Sequence, residues 1–528
     1  MRPTLLWFKR DLRLQDHAAL CDAARRGPLR PLAIIEPKAW RQPDAARQHY
    51  EFMSECLQAL QAELAEAGCP LQVQVGEACE VLERLWLAEP FETLVSHEET
   101  GNAWSYARDR AVAAWCRRRG VHWVQHPSNG IVRALKDRDH WRAQWVERMD
   151  GTPWAVPSLR SSGTPCPLPA QALPRWAELV PERAQEPQPP QRQRGGRRLA
   201  LRYLQGFLDE RAARYRGGIS SPLSARTACS RLSPYLAWGC LSLREVVQAT
   251  QARLDAAGPG RLAQGLRSFQ SRLAWHDHFI QKLESEPAQE WRNLHPGYDG
   301  LREADWCAGH FEALQAGRTG WPLVDACVAQ LRETGWLNFR MRAMLVSVAA
   351  YPLWLHWREV GLWLARQFLD YEPGIHWPQM QMQAGTTGIN TTRVYNPVKQ
   401  AQEQDPQGHY VRHWLPWMRQ VPDSWLFEPW RMPPAMQERL GLAGGQDLAP
   451  LCRLPLPRVD LEQASREAKA RLHARRAEPQ VRAGKADILR RHASRDPAGW
   501  SARLASDAPR GSRAGRTAGG ADQLSLEL

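Results

Sequence analysis

The first 130 residues alternate short apolar runs with amphipathic stretches of helical length, and this alternation limits the possible folds most strongly. Strands are predicted over residues 4–8, 29–35, 71–75, 93–96 and 122–125. Helices are predicted between them, over residues 16–26, 46–67, 78–87 and 104–119. Because a helix separates each strand from the next, neighbouring strands run parallel and the helices cover the sheet. Residues 1–130 are therefore predicted to form a parallel α/β domain.

The composition changes twice after residue 130. Residues 151–197 contain ten prolines and end in an Arg/Gln/Gly run, so residues 131–197 are predicted to be an interdomain linker without a core of its own. Helical periodicity with few strand signals returns over residues 198–457, which predicts a second, all-α domain. Residues 458–528 predict one helix near residues 460–477 and then a basic, largely disordered tail.

The charge of the chain points to a polyanionic partner. Its 528 residues carry a formal net charge of +14, which favours nucleic acid over a membrane surface, although a chain from an Arg-rich genome would also be basic. The 25 tryptophans indicate packing, stacking or redox work. The sequence shows no secretory signal, no CxxC pair and no apolar run of roughly 20 residues, so we expect a cytoplasmic protein with reduced thiols and no membrane span.

Aromatic rings, arginines and carboxylates alternate on helix-length segments over residues 335–416, without a Gly-rich phosphate loop. This mixture suits a flat, electron-rich ligand that also carries phosphate. The segment resembles the flavin-binding core of the DNA photolyase/cryptochrome family, and the run Leu6-Trp7-Phe8-Lys9-Arg10-Asp11-Leu12-Arg13 resembles the family's opening motif. The matching sequence segments in the core are Thr334-Gly335-Trp336, Arg340-Met341-Arg342, Trp357-Arg358-Glu359, Phe368-Leu369-Asp370, Arg393-Val394-Tyr395-Asn396-Pro397 and Tyr410-Val411-Arg412-His413-Trp414-Leu415-Pro416.

The resemblance implies a bent FAD inside the helical domain and a pyrimidine dimer that is flipped out of DNA to reach it. It also implies a Rossmann-like α/β domain that sometimes carries a light-harvesting antenna pigment, although nothing in this sequence identifies one. Some relatives hold an iron–sulfur cluster on four cysteines. Here Cys229, Cys240, Cys307 and Cys327 lack the close pairing that such a cluster prefers, so no metal site is predicted.

The run of residues 220–236, preceded by Tyr215, resembles the family's clamp for the phosphates of FAD. Hydroxyls and backbone N–H groups at a helix start suit a pyrophosphate. Without the resemblance, the same cluster would indicate ordinary helix capping. Cys229 stands where a threonine is usual. The resemblance assigns to cofactor binding Tyr215, Thr227, Cys229, Ser230, Arg231, Leu232 and Ser233.

Phe269, Arg272 and His276 are three and four residues apart and so share one helical face. The resemblance places them at the cofactor, where relatives have Trp, Glu and Arg, and the glutamate of relatives touches the damaged bases. Arg272 reverses that charge and puts the lesion contact in doubt. Trp275 matches the tryptophan on which the flipped lesion rests, and a packed core ring is the alternative reading.

The resemblance assigns Arg340, Arg342, Asp370 and Glu372 to the isoalloxazine ring. In an Arg342–Asp370 pair the cation would stabilise the reduced flavin and the carboxylate would orient the cation, whereas a plain structural salt bridge would look the same from sequence. His376 aligns with the residue that faces the flavin N5. Since histidine titrates near neutral pH, we expect it either to tune or protonate the reduced ring or to cap the loop after Pro373-Gly374.

Most relatives reduce the buried flavin through three tryptophans in a row. Trp357 matches the middle one and Trp306 the outer one, but Met380 stands in the flavin-proximal position and Met382 in the lesion-side position. Methionine is a flexible filler and not an electron-hopping station, so an alternate relay through Trp377 or Trp354 is predicted. A further departure is Phe339, which replaces the asparagine of the usual His-Asn-Arg run.

The resemblance also supplies candidates for DNA contact, and for each basic one solvated surface charge is the alternative. They are Trp275, Met382, Arg393, Lys399, Arg412 and His413. Residues 523–528 read Gln-Leu-Ser-Leu-Glu-Leu and resemble the peptide by which bacterial repair and replication factors dock on the sliding clamp.

The function predicted from these features is light-dependent DNA repair by a monomeric, deoxyribodipyrimidine photolyase-type carbon–carbon lyase. An FAD-driven electron transfer would split cyclobutane pyrimidine dimers. The rival is a cryptochrome-like blue-light photoreceptor that binds FAD without repair, which Arg272, Met380 and Met382 favour. A third reading is a flavin-binding DNA protein without photochemistry.

Overall fold

Residues 4–126 form a five-stranded parallel sheet, as the alternating pattern predicts. The computed structural model describes residues 2–161, 166–389, 393–442 and 454–492. The strand order is β3-β2-β1-β4-β5, so the chain reverses its winding beside β1. The strands are β1 (Thr4–Phe8), β2 (Leu29–Ile35), β3 (Gln72–Val75), β4 (Thr93–His97) and β5 (His122–His126).

Helices cover both faces of this sheet because its strands are apolar on both sides. Leu6 and Phe8 of β1 join one hydrophobic core, while Leu5 and Trp7 join another on the opposite face. The helices of this domain are α1 (Ala18–Arg26), α2 (Pro37–Trp40), α3 (Arg47–Glu66), α4 (Ala78–Ala88) and α5 (Ala103–Arg119).

The predicted linker packs more tightly than its composition suggests. It contains α6 (Trp141–Asp150) and α7 (Trp176–Leu179). Trp141, Trp145 and Trp176 are buried, and the Trp145 indole N–H donates a 3.0 Å hydrogen bond to Asp277. Parts of residues 131–197 are therefore helical where an irregular linker is predicted, and their buried tryptophans join a core shared with other parts of the chain.

The chain after residue 196 is mainly helical, and the predicted pairing of an α/β domain with an α-helical domain is confirmed. Its longest helix, α13, buries Leu266, Phe269, Leu273 and Ile280, which recur at helical spacing on one face. The helices are α8 (Arg197–Gly206), α9 (Ala212–Gly218), α10 (Pro222–Ala228), α11 (Ser233–Ala237), α12 (Leu243–Asp255), α13 (Arg261–Ser285), α14 (Ala308–Ala316), α15 (Pro322–Thr334), α16 (Phe339–Ala350), α17 (Trp357–Gln367), α18 (Pro373–Ala384), α19 (Pro397–Gln404), α20 (His409–Trp414) and α21 (Pro434–Arg439).

The two domains meet at the end of β1. The Leu12 backbone N–H donates a 3.1 Å hydrogen bond to the Trp238 carbonyl. Gly239 has φ of +64°, and a Cβ there would lie 2.3 Å from the Arg10 carbonyl oxygen. Only glycine allows this close approach of the two backbones.

Two helices follow near the carboxyl end, where the sequence predicts one. They are α22 (Leu461–Ala477) and α23 (Pro479–His492), and Leu472, Val481 and Ile488 are buried against the helical domain. The expectation of disorder directly after the first helix is therefore wrong for α23. Residues 523–528, the predicted clamp peptide, lie outside the described residues. Within the described ranges, none of the helices is long and apolar enough to cross a membrane.

Candidate functional site

The predicted Arg342–Asp370 pair forms at the centre of the helical domain. Arg342 lies on α16 and Asp370 follows α17, and their side chains meet at 2.9 Å. The Arg342 Nε also donates 2.8 Å to the Leu337 carbonyl, and its guanidinium lies 4.2 Å from the centre of the Phe368 ring. Burial alone would raise the pKa of Asp370, but the Arg342 charge beside it holds that pKa below its usual value.

Two buried polar atoms on the segments that carry this pair have no hydrogen-bond partner among the described residues. They are Oδ1 of Asp370 and Nε of Arg340. A buried polar group without a partner costs free energy, so such atoms mark where a polar ligand completes the structure. The Asp370 oxygen and the Arg342 cation beside it match the edge of a flavin ring, which carries both a ring N–H and carbonyl oxygens, whereas Arg340 stands two residues before Arg342 on α16 and so points to another side of that helix. The residues present therefore fit FAD.

Glu372 ties this centre to the other domain. Its carboxylate pairs with Arg10 at 2.9 Å, and it caps α18 by accepting from the Gly374 N–H. Burial raises the pKa of Glu372, and the charges of Arg10 and His276 oppose that rise. Sequence reasoning did not assign Arg10 to the site. The signal was its place in the opening motif, 362 residues before its partner.

His376 is buried on α18 and has a backbone partner on the neighbouring helix. Burial lowers the pKa of His376 to about 4, so the ring is neutral at pH 7 and does not titrate there. Its Nε2–H donates 2.9 Å to the Gly361 carbonyl, which joins α18 to α17. The cap of α18 is Glu372 and not His376.

Arg231 is the strained residue of the predicted phosphate clamp, with φ of +61°. Its guanidinium donates to Gln193 Oε1 at 3.0 and 2.9 Å and lies 4.0 Å from the centre of the Trp336 ring. Burial lowers the pKa of Arg231 to about 10, so it is still a cation at neutral pH. The charges of Arg231 and Asp370 act on each other, so this cation lies on the same side of the helical domain as the Arg342–Asp370 pair. Sequence reasoning did not assign Gln193 to the clamp.

The other clamp residues have mixed environments. Burial raises the pKa of the Cys229 thiol to about 11, so it remains protonated. Leu232 is buried in the core beside Ser233, the first residue of α11, and the Ser230 carbonyl accepts from Arg211. Thr227 is exposed in the last turn of α10, and its hydroxyl donates 3.1 Å to the Ser224 carbonyl. The N-cap of α10 is Ser221, which accepts from the Leu223 N–H.

The helix α13 brings its three predicted cofactor residues to one side. Phe269 is buried against Tyr215, with ring centres 5.5 Å apart. Arg272 lies close enough to Tyr215 for its charge to oppose the burial that raises the pKa of that phenol. His276 is half-buried and lines a cavity with Glu372. The positive charge of Arg272, which stands where relatives have a glutamate, therefore acts on Tyr215 of the predicted phosphate clamp.

Trp275 lies half-exposed on the same helix. Its ring contacts His278 and Phe279, with centres 5.6 and 5.5 Å away. It is therefore not the fully packed core ring of the alternative reading. Met382 is also half-exposed, near the end of α18.

Trp357 and Trp377 form a buried pair of rings next to His376. Trp357 is fully buried, its N–H donates 2.8 Å to Asn293, and its ring centre lies 6.0 Å from that of Trp377. Trp377 in turn lies 4.9 Å from the His376 ring. Trp306 is 38% exposed and packs on Phe311, and no ring contact joins it to Trp357 within the described part of the chain.

The other relay candidate, Trp354, is held apart from this group. Its ring lies between the guanidinium groups of Arg302 and Arg471, 4.6 and 5.0 Å from its centre. Met380 is buried where the proximal tryptophan is expected. Of the two candidates, the geometry favours Trp377.

The basic residues predicted for DNA contact divide into two groups. Arg393 and Lys399 are exposed, and Lys399 has only a 3.9 Å pair with Glu403. Arg412 is held within the protein, because it donates to the Gln407 and Val421 carbonyls and pairs with Asp423. Its candidacy is weaker for that reason. His413 is exposed beside Trp414.

Two cavities border the contact between the domains. One of about 410 Å³ contains Arg10, His97, His276 and Glu372 in its wall. A larger cleft of about 1020 Å³ opens at the carboxyl ends of the parallel strands, where open α/β sheets bind ligands. Its aromatic walls and the buried cation of Arg108 offer space for a flat pigment.

Asp11, His17 and His97 form a buried trio with metal-like spacing. However, Nδ1 of His17 accepts from the Leu20 N–H, which requires the proton of the neutral ring on Nε2. That Nε2 lies 3.0 Å from Asp11, and Nδ1 of His97 lies 2.8 Å from the same oxygen. The His97 ring therefore forms a hydrogen bond with Asp11, while His17 faces the same oxygen as a close polar contact, and the trio joins the end of β4 to the segment between β1 and α1.

A parallel α/β domain joined to a helical domain with a buried, incompletely satisfied Arg–Asp centre defines an FAD-binding protein. Residues 4–137 match the model of the family described as DNA photolyase, and residues 269–474 match that of the FAD binding domain of DNA photolyase. Deoxyribodipyrimidine photo-lyase of Streptomyces griseus is 30% identical over 459 residues, covering 82% of this chain and 93% of the relative.

Further relatives include both branches of the same group. Cryptochrome DASH of Gloeobacter violaceus is 27% identical over 505 residues, covering 88% of this chain and 94% of the relative. The crystal structure of a bacterial class III photolyase from Agrobacterium tumefaciens superimposes with a TM-score of 0.74 at 25% identity, covering 90% of this chain and 98% of that one. The chain belongs to the DNA photolyase/cryptochrome family, and its cofactor is FAD.

Proposed function

We propose that this protein is a light-dependent DNA repair enzyme that splits cyclobutane pyrimidine dimers. It would act as a monomer in the cytoplasm, and its residues 523–528 would dock on the bacterial sliding clamp. Deleting those six residues should abolish clamp binding and leave repair intact, and unchanged clamp binding would end the docking proposal.

The chemistry that bound reduced FAD supplies is one electron lent to the dimer under blue light and returned after the ring opens, so no net redox change occurs. The protein binds and orients the reactants. Asp370 holds the Arg342 cation in position at 2.9 Å, and that cation would lie beside the flavin edge. Arg231, a buried cation, would hold the phosphate end.

The observation that carries the repair proposal is the position of Trp275 on α13. This one helix presents a half-exposed tryptophan next to His276, which borders the Glu372 cavity. A flipped base needs an aromatic surface that is open to DNA and close to the cofactor. The partial exposure of Trp275 on a long helix, and the cavity bordered by its neighbour His276, support this role.

The test is illumination of purified, reduced protein with an oligonucleotide that contains a thymine dimer. Restored thymines in the light and none in the dark support repair. Flavin photoreduction without restored thymines would overturn the repair proposal and favour the photoreceptor. Absence of both would leave a flavin-binding DNA protein without photochemistry.

The second candidate is a blue-light photoreceptor, which three residues favour. Arg272 replaces the glutamate that touches the lesion in relatives, and its charge acts on the clamp side. Met380 is buried and Met382 half-exposed where relatives have tryptophans. Arg272→Glu should raise repair activity if the charge reversal weakens the lesion contact.

A further inference from the structure

Tyr371 stands between two residues of the predicted flavin centre. Asp370 before it belongs to the central ion pair, and Glu372 after it caps α18. The Tyr371 ring packs edge-on against His376 with centres 5.2 Å apart, and the other ring contact of His376 on α18 is Trp377, at 4.9 Å. At most one imidazole ring therefore separates Tyr371 from the buried pair of tryptophans.

The Tyr371 hydroxyl is hydrogen-bonded to a carboxylate of the other domain. It donates 2.7 Å to Oδ2 of Asp44, which lies between α2 and α3. Asp44 is 3% exposed, and its two oxygens also accept from the Asn102 amide at 3.2 and 3.0 Å, as suits an ionised carboxylate. Burial and the Asp44 charge raise the pKa of Tyr371 well above its ordinary value, so the phenol keeps its proton in the resting protein.

The two tryptophans next to His376 have no such base. The Trp357 N–H donates to the amide oxygen of Asn293, which does not take up a proton at neutral pH. In the described part of the chain the Trp377 N–H has no hydrogen-bond partner, although it lies close enough to the Tyr371 hydroxyl to act on the pKa of that phenol. Of these three rings, Tyr371 is the one that can pass its proton directly to a carboxylate.

Tyr371 and Asp44 also border the cleft of about 1020 Å³ at the carboxyl ends of the strands. His49 lines the same cleft, and its ring stacks on Tyr371 with centres 5.9 Å apart. Trp357 and Trp377, in contrast, are 1% and 0% exposed. A small reductant that enters the cleft therefore reaches Tyr371 and not the tryptophan pair.

We propose that Tyr371 is the final electron donor when light reduces the bound flavin, and that Asp44 takes up its phenolic proton. This inference depends on FAD as the cofactor and not on repair of DNA. Light first moves one electron from Trp377 to the flavin, and exchange with Trp357, 6.0 Å away, delays its return. Tyr371 then gives one electron to Trp377 and one proton to Asp44. At the end Tyr371 is a neutral radical, both tryptophans are restored, and one electron has passed to the flavin.

The carboxylate makes this step possible because an oxidised phenol is a strong acid. It loses its proton to a base within hydrogen-bond reach, and the 2.7 Å contact with Asp44 provides that reach. The electron can return to Tyr371 only together with the proton, so the separated charges recombine slowly. A thiolate that enters the cleft then supplies one electron, and Asp44 returns the proton to Tyr371.

The experiment is a blue-light flash on the FAD-loaded full-length protein, followed by transient absorption and electron paramagnetic resonance. The wild type should give a tyrosyl radical, and Tyr371→Phe should give none. Asp44→Asn keeps an acceptor oxygen but removes the base, so it should slow formation of the radical by about a hundredfold. Steady photoreduction with dithiothreitol should be slower in both variants than in the wild type.

The matched control is Tyr106→Phe. Tyr106 also donates to a carboxylate, that of Glu284, but its ring lies beside the Arg133 guanidinium, 5.4 Å away, and not beside His376. This variant should keep the wild-type radical signal. A solvent change adds a second readout, because the wild-type radical should form more slowly in D₂O than in H₂O if a proton moves with the electron.

A tyrosyl radical of wild-type size in Tyr371→Phe would overturn the proposal, and so would equal rates of radical formation in Asp44→Asn and the wild type. Photoreduction of the wild type without any tyrosyl radical would overturn it as well. FAD content and melting temperature identify a variant that has not folded, and the other variant then decides.

The proposed repair function is tested separately with wild-type protein reduced by dithionite. Restored thymines without a tyrosyl radical in the flash experiment would overturn the role of Tyr371 alone. A tyrosyl radical without restored thymines would overturn the repair proposal and leave the role of Tyr371 in place.

Discussion

Arg342 and Asp370 show how a single pair can serve both folding and cofactor binding. Their side chains are 23% and 6% exposed, so removing one partner leaves a largely buried charge alone. Arg342→Gln should lower the free energy of unfolding of the flavin-free protein by about 3 kcal/mol and reduce FAD retention. Urea denaturation and the flavin-to-protein absorbance ratio measure these effects.

The matched control is Arg26→Gln, which breaks an exposed pair with Asp22 four residues away on α1. It should change stability by less than about 0.5 kcal/mol. If both variants lost the same small amount of stability, the Arg342 pair would be no more than surface charge.

His376 predicts a specific pH dependence of stability. Burial lowers its pKa to about 4, whereas a histidine in an unfolded chain titrates near about 6.5. Between these values the unfolded chain binds more protons, so the wild type loses stability as pH falls, by about 3 kcal/mol from this residue. His376→Asn should lose less over the same range. Urea denaturation at several pH values tests this, and parallel curves would contradict it.

At the residue scale, sequence reasoning identified side chains better than their environments. The Arg342–Asp370 pair was predictable because both residues lie in sequence segments that resemble the family. The neutral state of His376 was not, because it depends on burial by Phe368, Tyr371 and Trp377. The pairing of Glu372 with Arg10 could not be predicted, because the two residues are 362 positions apart in the sequence.

At the element scale, α17 and α18 pack closely because Gly361 of α17 has no side chain. A Cβ on Gly361 would lie 2.6 Å from the Trp377 ring, and the Gly361 carbonyl accepts from His376. Glycine inside a helix normally costs up to about 1 kcal/mol relative to alanine. Gly361→Ala should nevertheless destabilise the protein, because it displaces the Trp377 ring.

Gly309 on α14 is the control, since a Cβ there would meet nothing within 4 Å. Gly309→Ala should stabilise the protein slightly, by up to about 1 kcal/mol. Opposite shifts in melting temperature for the two substitutions are expected. A rise for both would show that Trp377 is not confined by Gly361.

The same packing predicts the path of the electron that reduces the flavin. Trp357→Phe and Trp377→Phe should each slow flavin photoreduction strongly, because their rings are 6.0 Å apart and Trp377 borders His376. Trp354→Phe should have little effect. Absorbance during illumination with an added reductant measures the rate. Loss of photoreduction in Trp357→Phe with normal rates in both other variants would refute the relay.

The strands and long helices of the α/β domain were predictable because each has a clear period and a turn at its end. Strand β1 agrees residue for residue, since Thr4–Phe8 is a continuous apolar run before a charged turn. Helix α23 was missed because its apolar side chains are few among Arg, Lys and Gly. It is stabilised by packing of Val481 and Ile488 rather than by an amphipathic stripe.

For the whole molecule, the contact between domains positions the site. Arg10 at the end of β1 reaches Glu372 at the start of α18, and Gly239 lets the two backbones touch. The family match made the two domains predictable. Composition alone did not reveal that the predicted linker of residues 131–197 buries Trp141 and Trp145, the latter bonded to Asp277 of the helical domain.

The repair proposal is tested most directly by counting the thymines that reduced protein restores in a dimer-containing oligonucleotide under blue light. We predict light-dependent release by the wild type and strongly reduced release by Trp275→Ala at unchanged FAD content. A flavin-loaded wild type that binds the oligonucleotide and releases no thymine in the light would contradict the account.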